Sequence, residues 1–433
     1  MRKLTRYIFI AFAVAAGAFA LAPAQAADAE KPAVTVFKNV KVFNGRDDKL
    51  IDADVLVEGN LIKQVGKGLK ADGATVIDGG GRTLMPGLIE AHAHFVGGAY
   101  TADVLIRPYW DEIAAKMIRR GQDYFDMGFT TVRDAASWAL GLKVAFDEDV
   151  LPGPRVLSPG AGLTQTGGHG DLRLPYQNNP YFSPASENPE HSNLNYLGAM
   201  IRADGVPAVR QAARNNLAAG AHFIKVLGGG GIYSFLDPLE SLQYSAGELK
   251  AAAEEATNYG TYATIHAHTD EAVSRAIDLG FKMIEHATIM EEDTVKKMSE
   301  KDVIWSMQLA LFMIDPATNP SASSDVQRRK AEIVYKGMTK TLEHAKNYDL
   351  KILWGTDIIG SKEAFFETFP KEWEIRNEHF TPFEQLQQVT KNNGEMVAMS
   401  GPKNPYPEGP LGVIEEGAYA DILLVKGNPL ENI

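Results

Sequence analysis

The chain of 433 residues contains no cysteine. Disulfide bonds, thiolate metal ligands and attachment of a lipid to cysteine are therefore excluded. A protein that avoids thiols suits an oxidising compartment, where disulfides form and persist. Any metal site in this chain has to use nitrogen and oxygen donors.

The sequence also lacks a concentration of basic residues. Its 43 Lys and Arg residues are outnumbered by 55 Asp and Glu residues, which gives a formal net charge of -12 at pH 7. Nucleic-acid-binding domains cluster Lys and Arg on one face, so we predict no nucleic-acid partner. The composition, 45% hydrophobic and 23% charged, is that of a soluble globular enzyme.

The N-terminal hydrophobic run is too short to cross a bilayer comfortably. This run, Tyr7–Leu21, follows three basic residues and precedes Ala24-Gln25-Ala26, which has the small-x-small pattern of a cleavage site. We predict that residues 1–26 are a signal peptide cleaved after Ala26. The mature protein would then be periplasmic and free of the membrane. An uncleaved N-terminal anchor is the less favoured alternative.

The two ends of the mature chain favour β-structure. Short alternating runs, separated by Asn- and Gly-containing turn signals, occur in five places: Val34–Phe37, Ala53–Val57, Leu61–Val65, Leu411–Ile414 and Ala420–Val425. We predict that residues 27–86 and 405–433 together form a small β-sandwich domain.

Between these ends, strands and helices alternate, which favours a parallel α/β sheet. Eight apolar segments are strand candidates: Leu84–His94, Thr130–Asp134, Arg155–Leu163, His222–Leu227, Tyr262–His268, Met283–His286, Val303–Gln308 and Ile352–Asp357. Helix starts are predicted at the capping box Ser245–Glu248 and at Thr381-Pro382, and a helix over Asp270–Leu279 ends at Gly280. Residues 87–404 are therefore predicted to form a (β/α)8 TIM barrel.

Two Pro- and Asn-rich insertions interrupt this pattern. Thr164–Gly205 follows the third predicted strand, and Asp315–Ser324 follows the seventh. Loops at the C-terminal ends of barrel strands surround the active site. We interpret the longer insertion as part of a substrate lid; a surface decoration is the alternative.

The first predicted strand ends in His92 and His94. Residues i and i+2 of a strand point the same way, so both imidazoles would face one centre, and neutral imidazole is the commonest metal ligand. Alone, the pair could be incidental to a surface strand end. Further donors stand in or at the ends of later strands: Lys225, His266, His268, His286 and Asp357. All would meet at one rim of the barrel.

Lys225 stands inside an apolar strand, where an unpaired ammonium is costly to bury. Burial lowers the pKa of a lysine and makes the neutral amine accessible. A neutral amine can take up carbon dioxide to give a carbamate, an anion whose two oxygens can bridge two cations. The alternatives are an ion pair with Glu285 or Asp357, or a side chain that reaches out of the barrel.

The chain resembles the amidohydrolase superfamily over nearly the whole mature sequence. Five motifs carry the resemblance: Pro86–His94, Ile224-Lys225-Val226, Ile265–His268, Ile284-Glu285-His286 and Gly355-Thr356-Asp357. They are similar to the imidazolonepropionase-related branch, which contains Xaa-Pro dipeptidases, related carboxypeptidases and ochratoxin-degrading amidohydrolases.

The resemblance implies two divalent metal ions, most simply zinc. One would be held by His92, His94, the carbamate of Lys225 and Asp357. The second would be held by the same carbamate with two later histidines, His266 and His286. Asp357 would also accept the proton of the attacking water and pass it to the leaving nitrogen.

Three further residues are candidates for contact with the substrate. His169, in a Gly-rich segment after the third strand, could hydrogen-bond the carbonyl or the oxyanion. His268 could touch substrate or orient a ligand, and Tyr233 could reach a substrate oxygen. A loop histidine without a role and a simple wall residue are the alternatives for His169 and Tyr233. His222, at the opposite end of its strand, is interpreted as structural.

The sequence therefore predicts a zinc-dependent hydrolase that cleaves the amide bond of dipeptides or N-acyl amino acids. Relatives of this kind often assemble into homo-oligomers, and we expect the same here. Two alternatives remain open: a cyclic amide or imide hydrolase or mononuclear deaminase of the same superfamily, and a non-catalytic barrel that serves as a scaffold.

Overall fold

The computed structural model of the protein describes residues 32–99, 109–171, 173, 198–234, 237–319, 322 and 324–433. The predicted signal peptide and most of the predicted lid, Thr164–Gly205, lie outside the described residues. Within the described parts, none of the helices combines the length and the apolar character that a membrane crossing requires.

The described residues form sixteen strands. They are β1 (Val34–Val42), β2 (Ile51–Glu58), β3 (Leu61–Gly66), β4 (Thr75–Asp78), β5 (Thr83–Pro86), β6 (Leu88–Ala93), β7 (Phe129–Asp134), β8 (Arg155–Leu157), β9 (Gly162–Thr164), β10 (Met200–Arg202), β11 (Ile224–Leu227), β12 (Ala263–Ala267), β13 (Met283–His286), β14 (Ile304–Met307), β15 (Ile352–Trp354) and β16 (Ile422–Val425).

Ten α-helices are present in the same residues. They are α1 (Trp110–Asp126), α2 (Leu140–Asp147), α3 (Val206–Ala218), α4 (Ala246–Asn258), α5 (Asp270–Asp278), α6 (Glu292–Glu300), α7 (Asp325–Ala345), α8 (Lys362–Arg376), α9 (Pro382–Gln387) and α10 (Asn393–Ala398). The predicted helix starts at Ser245 and Thr381 are confirmed, since both residues form capping boxes. Helix α5 ends just before Gly280, also as predicted.

The N- and C-terminal segments share one six-stranded sheet, in the order β16-β5-β1-β2-β3 with β4 paired to β1. Alternate residues of β2 are buried, and Val55 packs in a core with Leu84, Val413 and Ile414. Strand β16 runs antiparallel to β5, which joins the chain ends. The second layer that a β-sandwich requires stays a prediction.

One predicted C-terminal strand is wrong. Leu411–Ile414 is buried, but it does not form a strand. Gly412 has φ +76°, and a Cβ at this position would lie 2.2 Å from the carbonyl oxygen of Thr390. The chain turns tightly against the helical segment there, which an extended strand does not allow.

The central part of the chain consists of parallel strands, as predicted. Seven strands form the sheet β10-β9-β11-β12-β13-β14-β15, and three form the sheet β6-β7-β8. The two sheets meet where the amide of Asp357, after β15, donates to the carbonyl of His92 on β6 at 2.7 Å. This α/β arrangement is consistent with a TIM-barrel-like domain.

Two of the eight predicted strands are each divided in two. Leu84–His94 becomes β5, in the terminal sheet, and β6. Arg155–Leu163 becomes β8 and β9, separated by Ser158–Ala161, because the Pro159-Gly160 pair takes the chain out of the extended conformation, with φ +69° at Gly160. The predicted insertion also contributes an unexpected strand, β10, parallel to β9.

A matched pair of valines tests the core of the terminal sheet. Val55→Ala is expected to lower the free energy of unfolding by about 2 kcal/mol, because two fully buried methyl groups are lost. Val76→Ala, on β4 of the same sheet, removes the same atoms from a side chain that is 59% exposed and is expected to change it by less than about 0.5 kcal/mol. Urea unfolding followed by circular dichroism measures both, and equal losses would contradict the packing described.

Candidate active site

His92 and His94 meet Asp357 at the end of β6. The Nε2 atoms of His92 and His94 lie 3.5 Å and 3.0 Å from the same carboxylate oxygen, Oδ1 of Asp357. Both histidines are at least nine-tenths buried. The i, i+2 spacing on the strand therefore aims both imidazoles at one centre, as the sequence predicts.

Three of the histidines at the site are oriented through Nδ1 by a hydrogen-bond acceptor. The pairs are His92 with Glu285 Oε2 at 2.8 Å, His286 with Gln308 Oε1 at 2.7 Å, and His94 with the carbonyl of Ala136 at 3.3 Å. A proton held on Nδ1 leaves the Nε2 lone pair for a metal ion, and such partners fix the ring orientation.

Three histidines from β12 and β13 form a second group. Ring nitrogens of His266, His268 and His286 lie within 4.8 Å of one another, and His286 belongs also to a group with His92 and Asp357. Nε2 of His266 lies 3.3 Å from the carbonyl of Gly230, which leaves Nδ1 of His266 free. The two groups share His286 and could each hold a metal ion.

Lys225 lines one cavity with members of both groups and is 2% exposed. The described part of the chain gives its ammonium no hydrogen bond and no ion pair. Burial lowers the pKa of Lys225 to about 8, with a smaller contribution from the charge of Arg133, and Glu285 and Asp357 oppose this shift. The neutral amine is therefore accessible near neutral pH.

Glu285 does not pair with Lys225, which was one sequence-based alternative. Its Oε1 accepts from Arg133 at 2.6 Å and from the hydroxyl of Thr264 at 2.5 Å, while its Oε2 accepts from His92. Arg133 and Glu285 are both fully buried. The Glu285 carboxylate therefore holds the guanidinium of Arg133 and the imidazole of His92 in place.

A cavity of about 440 Å³ opens over the cluster. Its polar wall contains six of the predicted residues, His92, His94, Lys225, His266, His286 and Asp357, together with His169 and Tyr233. The apolar part of the lining includes Ala136, Met200, Leu227, Leu311 and Ile359. This volume and this mixture of walls are typical of small-molecule sites.

The three candidates for substrate contact occupy different places. His169 lines the cavity and stacks on His266 with ring centroids 4.2 Å apart. His268 is not among the residues of this lining. Its ring stacks on that of His286, and its Nδ1 lies 2.8 Å from Oγ1 of Thr288. This position suits an orienting role for His268 more than contact with substrate.

The hydroxyl of Tyr233 is already engaged. It donates to the carbonyl of Leu311 at 2.8 Å and accepts from Asn319 at 3.3 Å. Burial raises the pKa of Tyr233 to about 12, so the phenol keeps its proton. In this conformation Tyr233 is a wall residue and its proton does not point to the cavity.

The protonation of the histidines suits metal ligation. Burial lowers the pKa of His266 and His286 well below the usual range, and the neighbouring histidines add to this effect. Burial also lowers the pKa of His94, but the hydrogen bond and charge of Asp357 raise it by more. His266 and His286 are thus neutral and offer lone pairs to a cation.

The backbone is strained at two of these residues. Asp357 has φ +55° and His286 has φ +72°, and neither is a glycine. Such conformations cost roughly 1–3 kcal/mol each and persist where surrounding structure fixes them, often at functional sites. Asp357 follows β15 and His286 ends β13. At these positions both side chains turn toward the cluster of candidate metal ligands.

Sequence reasoning missed the residues that support the cluster, among them Glu90 and Arg133. Glu90 is fully buried and accepts from the amide of His92 at 2.8 Å and from the amide and hydroxyl of Thr356, each at 3.0 Å. Burial raises the pKa of Glu90 to about 8. A carboxylate two positions before His92, on the same strand face, was the available signal.

The chain belongs to the amidohydrolase family, which it matches over residues 83–433. The resemblance to this superfamily and the prediction of a hydrolase acting on amide bonds are thereby confirmed. Members of the family are generally metal-dependent, and the two histidine groups described above could bind a metal.

Three relatives show where the chain lies in this family. Ochratoxinase from Aspergillus niger is 30% identical over 358 residues, which cover 81% of this chain and 71% of the relative. A crystal structure of a prolidase complexed with N-methylphosphonate-L-proline has a TM-score of 0.80 and 30% identity, covering 92% of this chain and 94% of the other. A Xaa-Pro dipeptidase with bound methionine in the active site has a TM-score of 0.76 and 26% identity, covering 92% and 95%.

Two substitutions distinguish the effect of orienting a histidine ligand from the effect of burying a charge without its partner. Glu285→Gln is expected to weaken zinc binding about 10–100-fold, because Nδ1 of His92 loses its anion. It also leaves Arg133 buried without a counterion, which costs about 3–5 kcal/mol of stability. Gln308→Leu removes the partner of His286 and is expected to weaken zinc binding similarly with a smaller loss of stability.

Chelator competition and thermal unfolding of the zinc-free protein measure the two effects. Unchanged zinc affinity in both variants would show that these partners do not orient metal ligands. Equal losses of stability would show that the Arg133–Glu285 charge pair has no special cost.

Proposed function

We propose that the protein is a binuclear zinc hydrolase that cleaves the amide bond of dipeptides or N-acyl amino acids with a free carboxylate. The observation that carries this proposal is a buried lysine, without a partner in the described chain, beside five histidines and an aspartate in one cavity. The scaffold that we propose is a closed (β/α)8 barrel with a small β-sandwich, in an exported, periplasmic homo-oligomer.

The donors present fit two metal ions. His92, His94 and Asp357 would hold the first, and His266 and His286 the second. The rings present free lone pairs because their other nitrogens are bonded elsewhere. Nitrogen and oxygen donors without thiolate suit zinc in a catalytic site.

We infer that Lys225 completes the set as a carbamate. The lone pair of Nζ attacks the carbon of CO2, an N–C bond forms as one C–O π pair moves to oxygen, and the nitrogen loses one proton to solvent. Carbamate formation thus replaces the positive charge of a buried ammonium with a negative charge. The carbamate oxygens would add anionic donors to the imidazoles that would hold the metal ions, and the lowered pKa of Lys225 supports the reaction near neutral pH.

When bound, the zinc ions would activate the attacking water and polarise the scissile carbonyl. Asp357 would take one proton from that water while the water oxygen bonds to the carbonyl carbon. It would then pass this proton to the nitrogen as the C–N bond breaks, and the remaining water proton, on the new carboxylic acid, would leave to solvent, which yields a carboxylate and an amine. His169, on the cavity wall, would hydrogen-bond the substrate near the reacting carbonyl.

The substrate class rests on the relatives and on the cavity. The ochratoxinase and the prolidase are named for amide substrates, and the walls of this cavity combine apolar side chains with few charges. A mononuclear deaminase would have no use for Lys225 among the donors. A cyclic amide or imide hydrolase of the same superfamily remains the second candidate, while a scaffold has no reason to keep the donors together.

Metal analysis and a substrate panel test this function. We expect two zinc ions per chain and hydrolysis of members of a panel of dipeptides and N-acyl amino acids. Lys225→Ala is expected to lower kcat/KM by about 10³-fold or more, since each metal contributes several kcal/mol to the transition state. Lys336→Ala, which removes an exposed lysine of α7, is the control and should leave kcat/KM unchanged.

The carbamate has its own readout. After exchange with ¹³C-labelled carbon dioxide, the wild-type protein should give a carbamate ¹³C signal that Lys225→Ala lacks. Full activity of Lys225→Ala would defeat the proposal. One zinc ion per chain with activity on cyclic imides or purine-like rings alone would favour the second candidate.

A further inference from the structure

The ring of His169 sits against the loop that follows β11, and this loop holds one of its nitrogens. Nδ1 of His169 lies 2.9 Å from Oγ of Ser234 and 3.5 Å from Oδ2 of Asp237. The hydroxyl of Ser234 donates to the carbonyl of Gly231 at 3.2 Å. Because a hydroxyl has a single proton, Oγ of Ser234 is left to accept from Nδ1.

Asp237 is 4% exposed, and the neighbours bonded to its Oδ2 are donors. This oxygen accepts from the amide of Gly231 at 2.9 Å and from Nε2 of Gln243 at 3.2 Å. Oε1 of the same Gln243 accepts from the amide of His169 at 2.8 Å. Asp237 is therefore an acceptor on the Nδ1 side of the ring, where it favours a proton on that nitrogen.

The loop is held in place without the Asp237 carboxylate. Lys330, on α7, donates to the carbonyls of Gly231, Ser234 and Asp237 at 2.9, 3.1 and 2.6 Å. Gln327 donates to the carbonyl of Tyr233 at 2.7 Å. These bonds reach the main chain, so a change of the Asp237 side chain leaves the course of the loop intact.

Gly231 lets the ring approach. A Cβ at this position would lie 1.9 Å from Cε1 of His169 and 2.2 Å from its Nδ1. No side chain other than hydrogen fits between the loop and the ring. The position of His169 thus depends on the absence of a side chain at Gly231 as well as on two hydrogen-bond acceptors.

We propose that Asp237 is a positioning residue that acts through His169: with Ser234, it holds the proton on Nδ1, fixes the ring in the space left by Gly231, and presents Nε2 to the substrate. The contact between Nε2 and substrate rests on the proposed function. The fixed tautomer and ring position do not, and they can be measured separately.

A double-mutant cycle tests whether Asp237 acts through His169. Asp237→Leu has a similar shape but removes the acceptor beside Nδ1, so that the hydroxyl of Ser234 can donate to Nδ1 and favour the tautomer with the proton on Nε2. We expect kcat on the best substrate of the panel to fall about 10–100-fold, with KM changed less. In the His169→Ala background, the same substitution should change kcat by less than about twofold.

Asp278→Leu is the matched control. Asp278, at the end of α5, is 55% exposed and pairs with Lys297 and Lys301 at 2.6 and 3.3 Å. Its loss should leave kcat unchanged. An equal fall of kcat caused by Asp237→Leu with and without His169 would assign Asp237 a purely structural role and overturn the proposal.

The tautomer is read by ¹⁵N NMR of the zinc-loaded protein labelled at histidine, with the His169 signals assigned by their loss in His169→Ala. The wild type should carry the proton on Nδ1, Asp237→Leu should move it to Nε2, and Gly231→Ala should shift both ring signals. A wild-type ring without a proton on Nδ1 would overturn the proposal. If no amide of the panel is hydrolysed, the proposed function fails, and these spectra alone decide the role of Asp237.

Discussion

The burial of the Lys225 ammonium is the constraint that the rest of the site accommodates. Taking an unpaired charge out of water costs several kcal/mol, and the described residues offer this one neither a hydrogen bond nor an ion pair. The two nearest carboxylates are committed, Glu285 to Arg133 and Asp357 to His94. The proposed carbamate would remove the conflict, because it would turn the cation into an anion beside imidazoles that would share metal ions with it. The metal site and the modified lysine would then stabilise each other.

The Arg133–Glu285 pair supplies the rigid support that such a site needs. An isolated buried ion pair is weak as a source of stability, because desolvation offsets the attraction. Here, however, Glu285 also holds Nδ1 of His92, and Arg133 also donates to the carbonyl of Ala91 at 2.6 Å, on the strand that carries His92. The pair thus fixes both the ring and the backbone of one ligand. Its contribution is orientation, which explains why these charges lie in the protein interior rather than at its surface.

The donors could be predicted from the sequence and their supports could not. His92 and Lys225 lie on short strands and His94 directly follows one, and period-two geometry and hydrophobic context are local properties there. Glu285 looked like a partner for Lys225 because sequence order cannot show that Arg133, 152 positions away, reaches it first. The same limit applies to the fold. Alternation predicted the parallel strands and the terminal sheet, but the turn at Gly412 depends on the distant Thr390 backbone.

Strand β11 and the loop after it join the two halves of the proposed chemistry. Lys225 lies on the strand, and within twelve residues the chain supplies Ser234 and Asp237 to the ring of His169. That ring stacks on His266, so the group that would contact substrate rests directly on a proposed metal ligand. A shift of this loop would move both at once. Lys330, on the separate helix α7, donates to three carbonyls of this loop and thereby opposes such a shift.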